Sequence, residues 1–165
     1  RAARLIYLNK TCFNGLYRVN SKGQFNVPFG SYSDPTILDA ENLRASSKAL
    51  KGAVIQSGNF EQVLEIAEKG DFVYFDPPYA PLSETADFTA YSKEGFDDAA
   101  QEMLLLVCLQ LNQRGVKWMV SNSNTPIIRE LYRGFTIEAV GASRAINSKA
   151  SKRGTVVELL VRNYA

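Results

Sequence analysis

The chain of 165 residues is long enough for one domain with a real core, its hydrophobic content of 45% is typical of globular proteins, and its formal net charge of +2 is mild. No apolar run approaches the ~20 residues that a membrane span needs, and no secretory signal pattern is visible. The absence of histidine excludes His-based nucleophilic triads and disfavours a zinc site, while the isolated Cys12 and Cys108 are typical of free thiols in a reducing cytoplasm.

Residues 1–52 predict a helical and hairpin segment. Residues 1–8 have the pattern of a helix already under way, with apolar side chains on one face. Residues 10–32 are rich in Gly and Asn, and the apolar residues on either side of Ser21-Lys22-Gly23 predict an exposed β-hairpin carried on a loop. A helix is predicted over 39–50, with Asp39 as its N-cap.

From residue 53 onward, helices alternate with short apolar strands. Strands are predicted over 53–55, 72–75, 116–120, 135–140 and 156–162, and helices over 60–68, 98–113 and 126–132. Asn59 is placed to cap the first of these helices. The alternation predicts a doubly wound, mainly parallel α/β sheet. The last two strands are joined by a loop without a helix, so we expect them to pair antiparallel. The long polar segment over 80–95 predicts a functional or disordered loop.

The most informative motif is Asp76-Pro77-Pro78-Tyr79, which directly follows the strand predicted over 72–75. Open α/β sheets bind their ligands at the carboxyl ends of their strands. Two consecutive prolines fix the backbone and donate no N–H, so they form a rigid corner with free carbonyls. This set of groups suits an amino group on a flat heterocycle, because the Asp76 carboxylate and the Pro77 carbonyl can each accept one N–H while Tyr79 stacks on the ring. The plainer alternative is a strand-ending turn.

The positive charges are unevenly distributed. Five cationic residues precede the first acidic residue, Asp34, and a second acid-free stretch contains Arg144, Lys149, Lys152 and Arg153. A basic stretch is often only a solvated face. Two such stretches on either side of a carboxylate-centred pocket favour a phosphate backbone as the partner.

The motif and its surroundings resemble the Dam-type, D12-class adenine-specific DNA methyltransferases. The similar blocks are residues 9–18 (NKTCFNGLYR), 25–30 (FNVPFG), 76–79 (DPPY) followed by 80–83 (APLS) and 88–91 (FTAY), and 144–148 (RAINS). The resemblance implies a class I S-adenosylmethionine-dependent methyltransferase fold, with a mainly parallel sheet, a C-terminal antiparallel hairpin and a small target-recognition insertion. It implies a target-recognition segment over 1–52 and a partial catalytic domain over 53–165.

The resemblance also implies roles for individual residues. Asp76, Pro77, Pro78 and Tyr79 would be catalytic, and the cofactor S-adenosyl-L-methionine would contact Asn59, Phe60 and Asp76, with no metal. Asn59 stands where the family has an acid, and a plain helix N-cap is an alternative role for it.

Double-stranded DNA is the partner that the resemblance implies, bound by a monomer that flips the target adenine out of the duplex. The resemblance also implies GATC as the recognition sequence. The implied DNA-binding residues are Lys10, Phe13, Asn14, Leu16, Arg18, Pro28, Phe88, Tyr91, Arg144, Asn147, Ser148, Lys152 and Arg153. Phe88 and Tyr91 have loop anchoring as an alternative role. The resemblance implies no membrane association and a cytoplasmic, nucleoid-associated enzyme of bacterial or phage origin.

One departure from the family pattern affects the functional prediction. The Phe-x-Gly-x-Gly turn that cradles the cofactor in such enzymes, and the acid that follows it, have no counterpart in this sequence. We therefore expect a fragment without the N-terminal strands. Two alternatives remain: a catalytically silent DNA-binding fragment, and an amino-methyltransferase acting on cytosine N4, an RNA base or a protein amide.

Overall fold

The computed structural model describes residues 1–82, 96–143 and 155–165, which form two compact units, Arg1–Gln56 and Ser57–Ala165. The first unit contains helices α1 (Ala2–Thr11) and α2 (Ala40–Ala49), with a 3₁₀ turn over Phe13–Gly15. Helix α1 extends three residues beyond its predicted end. The predicted cap of α2 is confirmed, because Oδ1 of Asp39 accepts the backbone N–H of Asn42 at 3.0 Å.

The segment between α1 and α2 pairs as the sequence predicts, but without continuous strands. Isolated antiparallel bridges join Cys12 to Phe29 and Val19 to Phe25. Between the bridges the ladder is interrupted, since Pro28 has no N–H to donate and Gly15 adopts a left-handed φ of 63°. The result is a hairpin whose two sides pair at two isolated bridges and not along continuous strands.

The aromatic residues of this hairpin have different environments. The rings of Tyr17 and Phe25 contact each other with centroids 5.9 Å apart. The side chain of Phe29 is 70% exposed. Its bridge to Cys12 pairs the two backbones and turns the ring outward.

The second unit carries a four-stranded sheet with helices. Its elements are α3 (Val63–Ile66), β1 (Phe72–Phe75), α4 (Asp98–Gln113), β2 (Lys117–Ser123), α5 (Pro126–Leu131), β3 (Thr136–Ser143) and β4 (Thr155–Arg162). The strand order is β1-β2-β4-β3, with β1 parallel to β2 and β4 antiparallel to both of its neighbours. The mixed α/β class and the antiparallel pairing of the last two strands are thereby confirmed.

The strand predicted over 53–55 is wrong. These residues have no strand conformation, and the side chains of Val54 and Ile55 are 82% and 85% exposed. A strand exists only when its backbone groups are paired with a neighbour, and within the part of the chain that is described no segment pairs with this one. The apolar character of the residues alone does not produce a strand.

The core of the second unit lies between α4 and the sheet. Leu104, Cys108 and Leu111 of α4 and Trp118 and Val120 of β2 are all at most 1% exposed. Asp97 caps α4 through the backbone N–H of Ala100 at 2.9 Å. With 16 residues α4 is the longest helix described, and none of the described helices is long and apolar enough to cross a membrane.

Candidate active site

Asp76 lies at the carboxyl end of β1, directly beside β2. The parallel register pairs Phe75 with Val120, so the next residues, Asp76 and Ser121, are neighbours. The hydroxyl of Ser121 donates to Oδ1 of Asp76 at 2.8 Å. Among the described residues no group donates to Oδ2, and the Asp76 side chain is exposed. The sequence therefore places one oriented and accessible carboxylate oxygen at the ligand-binding edge of the sheet.

The backbone that follows the two prolines is held by a buried polar network. Nε2 of Gln101 in α4 donates to the Pro78 carbonyl at 3.1 Å. Nδ2 of Asn122 in β2 donates to Oε1 of Gln101 at 3.0 Å, and Oδ1 of Asn122 accepts the Ala80 N–H at 3.0 Å. The Ser123 hydroxyl donates to the Ala80 carbonyl at 2.6 Å. The network therefore bonds to the Pro78 carbonyl and to both the N–H and the carbonyl of Ala80.

The Pro77 carbonyl differs from those of Pro78 and Ala80 in its hydrogen bonding. No hydrogen bond from a described residue reaches it, although the carbonyls of Pro78 and Ala80 both accept one. Pro77 is half-buried and lines the same pocket as Asp76. Oδ2 of Asp76 and the Pro77 carbonyl are therefore two neighbouring acceptors without a described donor, as an incoming amino group requires.

Tyr79 is fixed through its hydroxyl, which donates to Oε2 of Glu158 in β4 at 3.3 Å. Partial burial is the largest effect on the phenol and raises its pKa above 10.0. The charges of Glu158 and Asp76 raise the pKa further, while a hydrogen bond with Ser121 opposes them. Tyr79 is therefore a neutral phenol at physiological pH, with its half-buried ring beside the carboxylate.

An open pocket of about 450 Å³ lies next to Asp76. It is lined by Gly58, Asn59, Phe60, Tyr74, Phe75, Asp76, Pro77, Pro78, Phe96 and Leu104. The rings of Phe60 and Phe96 are 5.7 Å apart and tilted by 58°, so the pocket offers aromatic surface on one side and carboxylate on the other. Such a lining fits a planar heterocycle that carries polar substituents.

Asn59 has a different role from the predicted helix cap. It precedes the 3₁₀ turn Phe60–Gln62, but its side chain accepts no N–H from that turn. Its Nδ2 donates instead to Oε2 of Glu61 at 2.8 Å, since a carboxylate two residues away offers a stronger, charge-assisted hydrogen bond. Oδ1 of Asn59 remains as an acceptor at the pocket wall.

The residues present fit the adenosine part of S-adenosyl-L-methionine at this pocket. Phe60 and Phe96 supply ring faces, and Asn59 and Asp76 supply polar contacts along the lining. No group of three or more His, Cys, Asp and Glu side chains suitable for a metal ion occurs among the residues described.

The first unit brings together several of the predicted DNA-binding residues. The N–H of Phe13 donates to the Pro28 carbonyl at 2.9 Å, which places these two residues side by side. Phe13 is 45% exposed, Pro28 is exposed and Leu16 is half-buried three residues after Phe13. Lys10 is exposed in the last turn of α1. This arrangement is an accessible apolar surface next to a cation.

Asn14 and Arg18 lie on the same hairpin and are held by local contacts. Asn14 has a left-handed φ of 54°, which Asn tolerates better than most residues. Nε of Arg18 donates to Oδ1 of Asn26 at 2.8 Å, and its Nη2 donates to the Asn26 carbonyl at 2.9 Å. The exposed guanidinium is therefore oriented by Asn26 and keeps other N–H groups for a ligand.

The remaining predicted DNA-binding residues lie outside the described parts of the chain. They are Phe88, Tyr91, Arg144, Asn147, Ser148, Lys152 and Arg153.

The residues of these sites that were not identified from the sequence include Asn26, Phe96, Gln101, Ser121, Asn122, Ser123 and Glu158. Two signals were available. A Ser-Asn-Ser triplet ends the apolar strand that pairs with β1, and Gln101 falls on the same helical face as Leu104, Cys108 and Leu111. A polar residue on a buried face requires a partner. The partners of Asn26 and Glu158 depend on strand register, which local patterns do not define.

Comparison with known proteins gives consistent similarities. Residues 1–146 match the family described as D12 class N6 adenine-specific DNA methyltransferase. A type II methyltransferase of Lactococcus lactis subsp. cremoris is 49% identical over 99% of this chain and 58% of its own length. A type II methyltransferase of Methanocaldococcus jannaschii is 51% identical, over 99% and 57% respectively.

A third similar protein is a DNA adenine methylase of Vibrio cholerae, which is 38% identical over 97% of this chain and 58% of its own length. The chain thus spans a little over half the length of these curated relatives. The family match covers the whole first unit with its hairpin, and the second unit up to residue 146 with the Asp-Pro-Pro-Tyr corner. The chain therefore belongs to the D12 class of N6 adenine-specific DNA methyltransferases.

Proposed function

We propose that the full-length protein transfers a methyl group from S-adenosyl-L-methionine to N6 of an adenine flipped out of double-stranded DNA. The observation that carries this proposal is the pair of acceptors, Oδ2 of Asp76 and the Pro77 carbonyl, which line one pocket and receive no hydrogen bond from a described residue. An amino group has two N–H donors and matches this pair. The family and the names of the relatives support adenine as the base.

The residues of the corner would assist the reaction by orienting the amine. The nitrogen lone pair of adenine N6 is delocalised into the ring, so it must be made available before it reacts. Acceptance of both N–H groups by Asp76 and Pro77 favours a pyramidal nitrogen whose lone pair points away from the acceptors, an effect of preorganised electrostatics. When bound, the cofactor supplies an electrophilic methyl group on sulfur.

The transfer is direct, without a covalent enzyme intermediate. The amine would bond to the methyl carbon as the sulfur of the cofactor keeps the electron pair of its broken S–C bond, and Oδ2 of Asp76 would take the surplus proton from N6. Because Asp76 is exposed, this proton then leaves to solvent. The ring of Tyr79, held by Glu158, supplies the stacking surface for the flipped base.

Sequence recognition is assigned to the hairpin of the first unit. Arg18 would donate to O6 and N7 of a guanine, the commonest specific major-groove contact. Leu16 and Pro28 would contact a thymine methyl group, Phe13 would fill the space left by the flipped base, and Lys10 and Asn14 would support these contacts. Together these roles support GATC as the recognition sequence, bound by a monomer.

The remaining roles are proposed for residues that lie outside the described parts of the chain. Phe88 and Tyr91 would close over the base, and Arg144, Asn147, Ser148, Lys152 and Arg153 would hold phosphates without reading sequence. The pairing of β3 with β4 beside the parallel β1 and β2 supports the class I methyltransferase arrangement as the fold of the full-length protein.

The test compares methyl transfer by the wild type and by Asp76→Ala in the full-length protein, on duplexes that contain GATC or a single change at each position. Asp76→Ala should lower the rate by at least about 100-fold and leave duplex affinity nearly unchanged. Asp98→Ala, which removes an exposed carboxylate in the first turn of α4, is the matched control. Retained transfer by Asp76→Ala would refute the mechanism, and equal transfer outside GATC would refute only the recognition assignment.

A further inference from the structure

Gln101 and Asn122 form a buried link between α4 and β2 whose outer ends hold the Asp-Pro-Pro-Tyr corner. Nδ2 of Asn122 donates to Oε1 of Gln101 at 3.0 Å, so the two amides act as one unit. The remaining donor of this unit goes to the Pro78 carbonyl at 3.1 Å, and the remaining acceptor receives the Ala80 N–H at 3.0 Å. Gln101 is 1% exposed and Asn122 is fully buried.

If packing in the core were the only requirement, hydrophobic side chains would be suitable at both positions. Gln101 lies among Leu104, Cys108 and Leu111 on the face of α4 that packs on the sheet, where amides cost free energy unless every polar atom is paired. The two amides bond to the backbone on either side of Tyr79, and Oδ1 of Asn122 also accepts the Ser123 N–H at 2.8 Å. The position of this backbone is therefore determined by two side chains that do not line the pocket.

Because of the link, the carbonyls of the corner also differ in whether they accept a hydrogen bond from the protein. It occupies the Pro78 carbonyl, and Ser123 occupies that of Ala80, so the Pro77 carbonyl is left without a described donor. The proline ring fixes φ of Pro78 but not ψ, and a rotation about ψ would move the Pro78 carbonyl away from Gln101. Gln101 opposes that rotation because its amide is fixed from behind by Asn122.

We infer that Gln101 and Asn122 are positioning residues for methyl transfer, which direct the Pro77 carbonyl at the amino group of the substrate base by holding the Pro78 carbonyl and the Ala80 N–H. This inference rests on the proposed function, since the amino group is that of the target base. The two residues contact neither the base nor the cofactor; they act through the backbone that they hold.

The test uses the full-length protein and two variants of the link. Gln101→Leu removes both hydrogen bonds of the Gln101 amide, and Asn122→Ala removes the donor to Gln101 together with the acceptor for the Ala80 N–H. Gln110→Leu, at an exposed glutamine of the same helix, is the matched control. The measured quantity is the single-turnover rate constant with enzyme in excess and saturating, because it does not depend on the folded fraction.

Both link variants should lower this rate constant by about tenfold to a hundredfold, while the dissociation constants for duplex and cofactor stay within about threefold of wild type. Amide hydrogen exchange at Ala80 should be at least about tenfold faster in Gln101→Leu. Gln110→Leu should match wild type in every measurement. A purely structural role would lower the melting temperature and the active fraction but leave the single-turnover rate constant unchanged, and that result would overturn the inference.

The same experiment separates this inference from the proposed function. If the wild type transfers methyl groups to cytosine rather than adenine, the adenine assignment fails, whereas slower transfer in both link variants would still support the positioning role. If the wild type transfers to adenine and the link variants do so at the wild-type rate, the proposed function stands and the positioning role is refuted. An unprotected Ala80 amide in the wild type would refute it independently of any activity.

Discussion

Asn26 accepts two hydrogen bonds from Arg18, one through its side-chain oxygen at 2.8 Å and one through its backbone carbonyl at 2.9 Å. The two contacts hold one edge of the exposed guanidinium against the opposite side of the hairpin. A guanidinium that must donate to two acceptors on one base edge loses less conformational entropy on binding when it is already oriented in the free protein.

We therefore expect Asn26→Ala to weaken discrimination at the guanine that Arg18 is proposed to read, although Asn26 itself has no role in contacting the base. Arg18→Ala should cost about 1–3 kcal/mol of discrimination at that position, and Asn26→Ala a smaller part of it. Relative methylation rates on duplexes altered at each position of GATC measure both effects. An Asn26→Ala variant with wild-type discrimination would show that the hairpin contact only stabilises the fold.

Ser121 should influence the rate through Asp76. Its hydroxyl fixes Oδ1 at 2.8 Å and so determines which oxygen is left for the substrate. Ser121→Ala removes this constraint, and we expect single-turnover transfer to slow by about tenfold, with duplex binding unchanged. Ser121→Thr keeps a hydroxyl on a β-strand position and should restore most of the rate. Equal rates in Ala and Thr variants would argue against an orienting role.

The ring and the hydroxyl of Tyr79 should contribute separately. Tyr79→Phe keeps the stacking surface and loses the hydrogen bond to Glu158, whereas Tyr79→Ala loses both. With stacking worth about 1–3 kcal/mol per base, Tyr79→Ala should lose far more activity than Tyr79→Phe. Fluorescence of 2-aminopurine at the target position reports flipping in each variant. If the Phe and Ala variants were equally impaired, the hydroxyl rather than the ring would be the functional group.

The free energy of unfolding should fall at alkaline pH because two ionisable side chains, Cys108 and Tyr132, are buried in the core. Burial raises the pKa of the Cys108 thiol from 9.0 to about 12, and burial likewise raises the pKa of the Tyr132 phenol above 10.0. The folded state keeps the thiol protonated where the unfolded chain ionises it. The stabilising contribution of Cys108 is therefore complete below pH 9 and is lost as pH rises toward 12.

Urea unfolding of the full-length protein between pH 8 and pH 10 measures this effect, because this range stays below the pH of about 10 at which tyrosines of the unfolded chain ionise. The free energy of unfolding should fall by about 1.4 kcal/mol per pH unit above pH 9, and Cys108→Ala should remove that slope after correction for its stability difference at pH 7. A slope that persists unchanged in Cys108→Ala would assign it to other groups.

The sequence predicted those parts of the fold that depend on local signals. The strand Phe72–Phe75 is an apolar run bounded by turn residues, and α4 begins at its predicted acidic cap. The segment over 53–55 has the same apolar character but no partner within the described chain, and pairing rather than composition makes a strand. Asn59 has a cap's position, yet its amide found a stronger acceptor in Glu61.

The candidate site was predictable in its chemistry but not in its support. Asp76 and the two prolines belong to a motif of four consecutive residues, which can be recognised in the sequence alone. Gln101 and Asn122 are 21 residues apart and meet only because α4 packs on β2, and Tyr79 and Glu158 are 79 residues apart and meet only through the order β1-β2-β4. Contacts of this kind follow from topology, which no short window of sequence contains.

The consecutive prolines have a consequence for the bases that the pocket excludes. Because Pro77 and Pro78 have no N–H, the front of the corner presents oxygen atoms alone. A base with a keto oxygen in place of the amino group, such as hypoxanthine, thymine or guanine, would set oxygen against oxygen there and leave buried acceptors unpaired. Penalties of this kind discriminate far more strongly than a missing methylene group does. If the proposed function holds, the corner would sort nucleobases by the polarity of one exocyclic substituent before any methyl group moves.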